Sequence, residues 1–132
     1  MVRRYLLDPQ MNNYRLKRNQ CFCSGVGKRW QDCDGFTDLS PCLFGVPVGI
    51  SFPHFLHSPR RLAEIGGGLE PTFTEHQSYL LLEPNLGVPV YAKVAIQPVL
   101  GVSRIGSVLA LSRLPTVRLP LMWINIVSLD FQ

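Results

Sequence analysis

The residues with the clearest chemical potential are four cysteines in the first third of the chain, at Cys21, Cys23, Cys33 and Cys42. Thiols this close in sequence can form disulfides, bind zinc as thiolates or stay free. Zinc sites usually draw their thiolates from C-x-x-C pairs, whereas this spacing begins with C-x-C, so disulfides are favoured. Since a Cys21–Cys23 bridge would be strained, two of the three possible pairings remain open.

The histidines are the next candidates for chemistry. His54 and His57 lie three residues apart, a spacing that could bind a metal on a helix. Pro53 and the strand-like run before it argue against such a helix, so hydrogen-bonded structural histidines are favoured. Glu75 and His76 could form an acid–base pair, but no sequence signal places a nucleophile beside them. Because G-x-S-x-G, P-loop and H-E-x-x-H motifs are also absent, we expect neither an enzyme nor a bound metal or cofactor.

Composition excludes several classes of protein. Hydrophobic residues make up 46% of the chain and charged residues 17%, which is too apolar for disorder. Eleven glycines and eleven prolines divide the chain into short pieces and argue against a helical bundle. The net charge of +4 comes partly from basic pairs, which predict a solvated basic surface or attraction to anionic lipid or lipoprotein rather than to nucleic acid. These pairs are Arg3-Arg4, Lys17-Arg18, Lys28-Arg29 and Arg60-Arg61.

The 132 residues predict one domain, 1–132, that is mainly β with short helices. Residues 2–9 read as a strand closed by an Asp-Pro turn, and residues 10–42 as a polar loop that carries the cysteines. Residues 43–127 read as an antiparallel sheet with one short helix. Within that sheet, residues 103–112 fit either a strand or a short helix.

Three local patterns mark elements of this sheet. Residues 46–52 alternate as a strand does, with a proline that indicates an edge or a bulge. A helix is expected over residues 59–65, with Ser58 as its capping residue and Pro59 in its first position. Residues 117–127 read as a final buried strand that carries Trp123.

The clearest element is a hairpin. Residues 77–83 form one strand, Pro84-Asn85-Leu86-Gly87 turns the chain, and residues 88–100 return. Strict alternation predicts that one face of the returning strand is apolar, which is typical of a half-buried strand in an antiparallel sheet. The residues expected on that face are Val88, Val90, Ala92, Val94 and Ile96.

Membrane-targeting segments are not expected in this sequence. Residues 1–20 lack the apolar core that a signal peptide needs. The longest apolar stretch, residues 119–129, is interrupted by Pro120 and Asn125 and is too short to span a bilayer.

The segment from Cys42 to Gly87 carries an ordered set of motifs. It contains a strand-like run, Pro-His-Phe, a short helix, Gly-Leu-Glu-Pro, a Glu-His pair and a Glu-Pro-Asn-Leu-Gly turn. This order resembles the C-terminal part of the ectodomain of class B scavenger receptors, a family that includes the fatty-acid translocase, the type 2 lysosomal integral membrane protein and the sensory neuron membrane proteins. The opening Val-Arg-Arg-Tyr-Leu-Leu-Asp-Pro is similar to the strand before the family's cysteine loop, whereas the match weakens near Trp123.

The resemblance implies a pattern of disulfides. Family members of the fatty-acid-translocase type carry Cys-Phe-Cys, then one cysteine, then another shortly before a strand. This implies a bridge between Cys23 and Cys33, and partners further upstream, absent here, for Cys21 and Cys42. We therefore expect the last two to be unpaired in this chain, or paired adventitiously with each other. A disulfide would place the segment on the extracellular or lumenal side of a membrane.

The resemblance also implies an architecture and a function. The family fold is an antiparallel, barrel-like core threaded by a hydrophobic tunnel, and this chain would supply only part of it. The apolar positions Val88, Val90, Val94 and Ile96 are candidates for tunnel wall, with ordinary sheet core as the alternative. The parent would be a non-catalytic membrane receptor, at the plasma membrane or in endo-lysosomes, that binds and helps transfer lipids, fatty acids, lipoproteins or anionic particles. Membrane attachment would come from anchors that this sequence does not contain, and exposed sheet edges would favour aggregation of the isolated chain.

Two other functions remain open from the sequence. The chain could be a small secreted adhesion or signalling module held by two disulfides. It could also be an intracellular zinc-binding protein. The number of free thiols separates the first from a receptor fragment, and metal content separates the second.

Overall fold

The computed structural model describes residues 1–23, 30–102, 107, 109, 112 and 116–129. Seven strands form one antiparallel sheet, and the few helices are short, which confirms the predicted fold class. Across the described residues the sheet is open and does not close into a barrel. The strands are β1 (Arg3–Leu6), β2 (Thr37–Asp38), β3 (Val48–Ser51), β4 (Tyr79–Glu83), β5 (Val88–Val102), β6 (Val117–Pro120) and β7 (Ile124–Leu129).

The helices lie in the segments between the strands. Two 3-10 helices span Lys17–Phe22 and Pro53–Phe55. The α-helices are α1 (Trp30–Cys33), α2 (Arg60–Gly66) and α3 (Phe73–His76). None of the described helices has both the length and the apolar character needed to cross a bilayer.

The long strand β5 organises the sheet. One edge of β5 pairs with β4 near its start and with β3 further along, and the other edge pairs with β7 and β6 in the same order. Strand β1 extends the sheet beyond β4, and β2 extends it beyond β3. The predicted hairpin is therefore present as β4 and β5, with Gly87 in the left-handed region that the turn requires.

The core lies where α2 and the short Pro53–Phe55 helix, called the Pro53–Phe55 turn below, pack against the second half of β5. Phe55, Leu62 and Val99 form its buried apolar cluster, and Leu69 packs against them. Ala95, Gln97 and Val99 of β5 are buried in alternation, as period-two geometry requires on the covered face. Burial of this cluster fixes the turn and the helix on one side of the sheet.

Two local predictions need correction, and a third is untested. Ser58 does not cap α2, because the helix begins one residue later than predicted and Pro59 is its N-cap residue. The Ser58 hydroxyl donates to the carbonyl of Gly35 at 2.8 Å. The expected loop of residues 10–42 is more ordered than predicted, since it contains β2, which pairs with β3. Most of residues 103–112 lie outside the described part of the chain.

The final segment also differs from its prediction as one buried strand. It forms two strands, β6 and β7, with Trp123 in the break between them. Ile126 in β7 is 54% exposed, so this strand is largely open to solvent. Burial was predicted from the apolar composition of the segment, but an apolar edge strand can remain exposed to solvent.

Candidate functional site

The cysteine region holds one disulfide bridge. Cys23 and Cys33 are bonded, with their Cα atoms 5.7 Å apart, and this is the pairing that the resemblance implies. The bridge joins the end of the first 3-10 helix to the end of α1, and Cys33 is buried. Cys21 and Cys42 are free and exposed.

An apolar groove lies across β1, β4 and β5. Its volume is about 390 Å³, within the range of roughly 300–1,000 Å³ that is usual for ligand pockets. Strand register places four of its residues on one face of the sheet, namely Tyr5, Leu80, Ala92 and Val94. The complete lining is Tyr5, Leu6, Leu7, Ser78, Tyr79, Leu80, Ala92, Lys93 and Val94.

A β-bulge determines which valines of β5 reach this groove. The pairing of β4 with β5 shifts between Leu81 and Leu82, so that Val90 is an extra residue in β5. Beyond the shift, Val88 pairs with Glu83 and shares its face with Tyr91 and Lys93. The prediction that all five apolar positions share one face is therefore wrong for Val88.

The four tunnel-wall candidates thus occupy different surroundings. Val94 lines the groove, whereas Val88 lies on the opposite face, and both are about half exposed at 42% and 46%. Val90 occupies the bulge, and Ile96 pairs with Ile124 of β7. The structure brings only Val94 into the groove, and the role of the set as a tunnel wall stays a prediction.

The opposite face of the same strands is aromatic and basic. The rings of Tyr79 and Tyr91 stack at 5.5 Å, and the guanidinium of Arg4 lies 4.4 Å from the centre of the Tyr79 ring. The hydrogen bond with Tyr79 raises the pKa of the Tyr91 hydroxyl. Lys93 donates to the backbone carbonyls of Thr74 and Glu75 and so ties α3 to the sheet. An apolar face and a cationic face therefore share the same three strands.

The histidines are hydrogen-bonded, as predicted. His54 Nδ1 lies 3.1 Å from the carbonyl oxygen of Glu70, and His57 Nε2 lies 2.6 Å from Gln77 Oε1. His54 has a φ of +52°, so no continuous helix carries both rings. Within the described residues, no group of three or more potential ligands is placed to hold a metal ion.

The Glu75–His76 pair belongs to the start of α3. His76 Nε2 lies 4.0 Å from Glu75 Oε2, and His76 Nδ1 accepts the backbone N–H of Thr72 at 2.9 Å. The hydroxyl of Thr72, the N-cap residue, lies 3.5 Å from the same Glu75 oxygen. Thr-x-x-Glu is the sequence of a capping box, but Thr72 makes no side-chain cap hydrogen bond and its N–H bonds to His76 rather than to Glu75.

Sequence reasoning missed one cluster. The rings of His54, His76 and Trp123 contact one another, although the three residues come from different segments of the chain. No local pattern links positions 54, 76 and 123, so only the packing of α3 and the β6–β7 connection on the turn reveals the cluster.

An open antiparallel sheet that carries an apolar groove and a disulfide-closed loop defines a β-rich domain stabilised by a disulfide. The sequence model described as the CD36 family matches residues 1–132, and the chain belongs to that family. The resemblance found from the residues is thereby confirmed.

Curated relatives include receptors and membrane proteins. The chain is 34% identical over 104 residues to Protein peste of Drosophila melanogaster, covering 79% of this chain and 18% of that protein. It is 35% identical over 89 residues to scavenger receptor class B member 1 of Bos taurus, covering 67% and 18%. It is 32% identical over 120 residues to sensory neuron membrane protein 1 of Manduca sexta, covering 89% and 20%. The chain spans about a fifth of the length of these relatives.

Proposed function

We propose that this chain is part of a non-catalytic membrane scavenger receptor that binds and helps transfer lipids, lipoproteins or anionic particles. The observation that carries the proposal is the apolar groove beside Val94 in a member of the CD36 family. Relatives named as scavenger receptors and as a sensory neuron membrane protein support the receptor role. The Cys23–Cys33 bridge supports a position on the extracellular or lumenal side, at the plasma membrane or in endo-lysosomes.

The groove suits an extended apolar ligand. Its lining is mostly hydrocarbon, so transfer of an acyl chain from water into it is favourable at about 25 cal/mol per Å² of buried apolar surface. The net charge of +4 supplies long-range attraction to anionic lipids and particles. Fatty acids combine these two properties, because each has an acyl chain and a carboxylate.

Two valines of β5 allow a matched test of this proposal. Val94 lines the groove and Val88 does not, yet both belong to the same strand and are similarly exposed. We expect Val94→Gln to weaken binding of a fluorescent long-chain fatty acid about 5- to 10-fold, since about 1 kcal/mol of apolar contact is lost. Val88→Gln should leave the affinity unchanged. Equal effects of the two substitutions, or no binding by the unsubstituted chain, would refute the role of the groove.

The disulfide weighs against both rival functions. A zinc site built on the four cysteines would need Cys23 and Cys33 as thiolates, and these two are bonded to each other. A secreted module held by two bridges would leave no thiol, whereas Cys21 and Cys42 are free. Thiol titration of the folded protein should therefore find two reactive groups, and a count of zero in a monomer would favour the secreted module.

A further inference from the structure

Two imidazoles and one indole form a contact cluster beside the sheet. The ring centres of His54 and His76 lie 4.3 Å apart, with 30° between the ring planes. Trp123 presents an edge-on contact to both, at 5.3 Å from His76 and 6.1 Å from His54. The cluster therefore joins the Pro53–Phe55 turn, helix α3 and the connection between β6 and β7.

Hydrogen bonds show which ring nitrogens of His54 and His76 carry a proton in the folded protein. His76 is 2% exposed, and its Nδ1 accepts the Thr72 backbone N–H, so the neutral ring carries its proton on Nε2. A second proton on Nδ1 would face the Thr72 N–H as donor against donor. His54 Nδ1 donates to the Glu70 carbonyl, which holds the His54 ring against that of His76.

The charged groups around His76 act in opposite directions. Burial lowers the pKa of His76, and the neighbouring His54 lowers it further. Glu75 on the same helix raises the pKa of His76, while Lys93 on β5 lowers it. Glu75 is largely exposed, so solvent screens its effect. Burial, His54 and Lys93 outweigh Glu75 and the Thr72 backbone, so the net direction of the pKa shift is downward and the fold disfavours the protonated ring.

We propose that His54, His76 and Trp123 form an acid-sensitive clasp that holds α3 on the sheet at neutral pH and releases it in mild acid. Protonation of His76 would remove its acceptor for Thr72 and place positive charge against His54. Helix α3 is only four residues long, and residues 71–75 are exposed. Its other contacts include the Lys93 hydrogen bonds to the Thr74 and Glu75 carbonyls and the edge-on contact of Phe73 with His57, which lie at the surface and would have to open with the clasp. The rest of the sheet does not depend on these rings and should stay folded.

The direction of the pH effect follows from linkage. A histidine whose pKa is lowered in the folded state takes up its proton more readily once it is released. The clasp therefore contributes its full stability above about pH 6.5, the ordinary value for histidine. That contribution is lost progressively as the pH falls below this value towards the lowered pKa of His76.

Trp123 can report the state of the clasp in a Trp30→Phe background, where it is the remaining tryptophan. Between pH 8 and pH 5 we expect a reversible change in its emission, with a midpoint below pH 6.5. Backbone amides of residues 72–77 should exchange faster with deuterium over the same range, while those of β5 stay protected. Unchanged exchange at residues 72–77 would overturn the proposal without any substitution of the cluster.

Substitutions of the histidines identify the residue whose protonation causes the change in Trp123 emission. His76→Gln should abolish the emission change. His54→Asn should move the midpoint upward, because one cause of the lowered pKa is removed. A transition that persists in His76→Gln would show that another group titrates. None of these readouts depends on the proposed ligand.

Discussion

Gln77 and His57 are joined by a hydrogen bond of 2.6 Å between Oε1 of the amide and Nε2 of the ring. The Gln77 amide is buried, and its Nε2 donates to the carbonyls of Leu7 and Ser78, both at 3.0 Å. One side chain therefore links the end of β1, the turn after Phe55 and the approach to β4. Because the His57 backbone has a φ of +63°, this bond also holds a conformation that histidine rarely adopts.

Removing this amide should destabilise the protein. In Gln77→Leu, the Leu7 carbonyl and the His57 ring lose their buried partner, which costs about 2–3 kcal/mol. Urea denaturation measures the loss as a lower midpoint. Gln10→Leu, at an exposed position, is the control and should change the free energy of unfolding by less than about 0.5 kcal/mol. Equal midpoints for the two variants would contradict the structural role of Gln77.

The disulfide should contribute measurably to stability. Cys23 and Cys33 are separated by 10 positions in sequence, so their bridge closes a short loop. The double variant Cys23→Ala/Cys33→Ala should lose about 2.5–3 kcal/mol on the chain-entropy account. Cys21→Ala removes an exposed free thiol and should be nearly neutral. A double variant as stable as the parent would show that the bridge does not constrain the unfolded chain.

Gly49 should not tolerate a side chain. A Cβ there would lie 2.6 Å from the Thr37 carbonyl oxygen and 2.7 Å from the Phe36 ring. The carbonyl belongs to β2, which pairs with β3, so it cannot move away without breaking the pairing between these two strands. We expect Gly49→Ala to cost about 1–3 kcal/mol by thermal or urea unfolding.

A second strand glycine provides the control for this substitution. At Gly101 the nearest atom is the flexible end of the Arg118 side chain, which can move aside. Gly101→Ala should therefore cost less than Gly49→Ala. The reverse order would mean that β2 does not lie against β3 as described.

The exposed apolar strand β7 should promote self-association. Ile124, Ile126 and Val127 are substantially exposed, and β7 carries no charge that would discourage edge-to-edge pairing. Light scattering should show association that increases with concentration and decreases in Ile126→Lys. Leu86→Lys changes a 77% exposed residue in the β4–β5 turn and should leave association unchanged. If the unsubstituted chain stays monomeric as its concentration rises, the prediction of self-association is wrong.

Patterns of neighbouring residues in the sequence were sufficient to predict much of the fold. The Pro84–Gly87 turn between two apolar runs predicted the hairpin, because turn residues and alternation act over a few positions. The bulge at Val90 was not predictable, since an extra residue leaves the hydrophobicity pattern almost unchanged while it places Val88 on the opposite face from Ala92 and Val94. Ser58 likewise has the sequence of a helix cap, but α2 begins one residue later with Pro59 as its N-cap, and the Ser58 hydroxyl donates to the distant Gly35 carbonyl.

The sequence by itself determined the family, the mainly β class and the region of the disulfide, because each depends on motifs or alternation between neighbouring positions. Only the tertiary structure decided which valine faces the groove and which histidines meet Trp123. These relationships depend on register and on contacts between distant segments. Both are set by the free energy of burying side chains together, to which residues far apart in sequence contribute jointly.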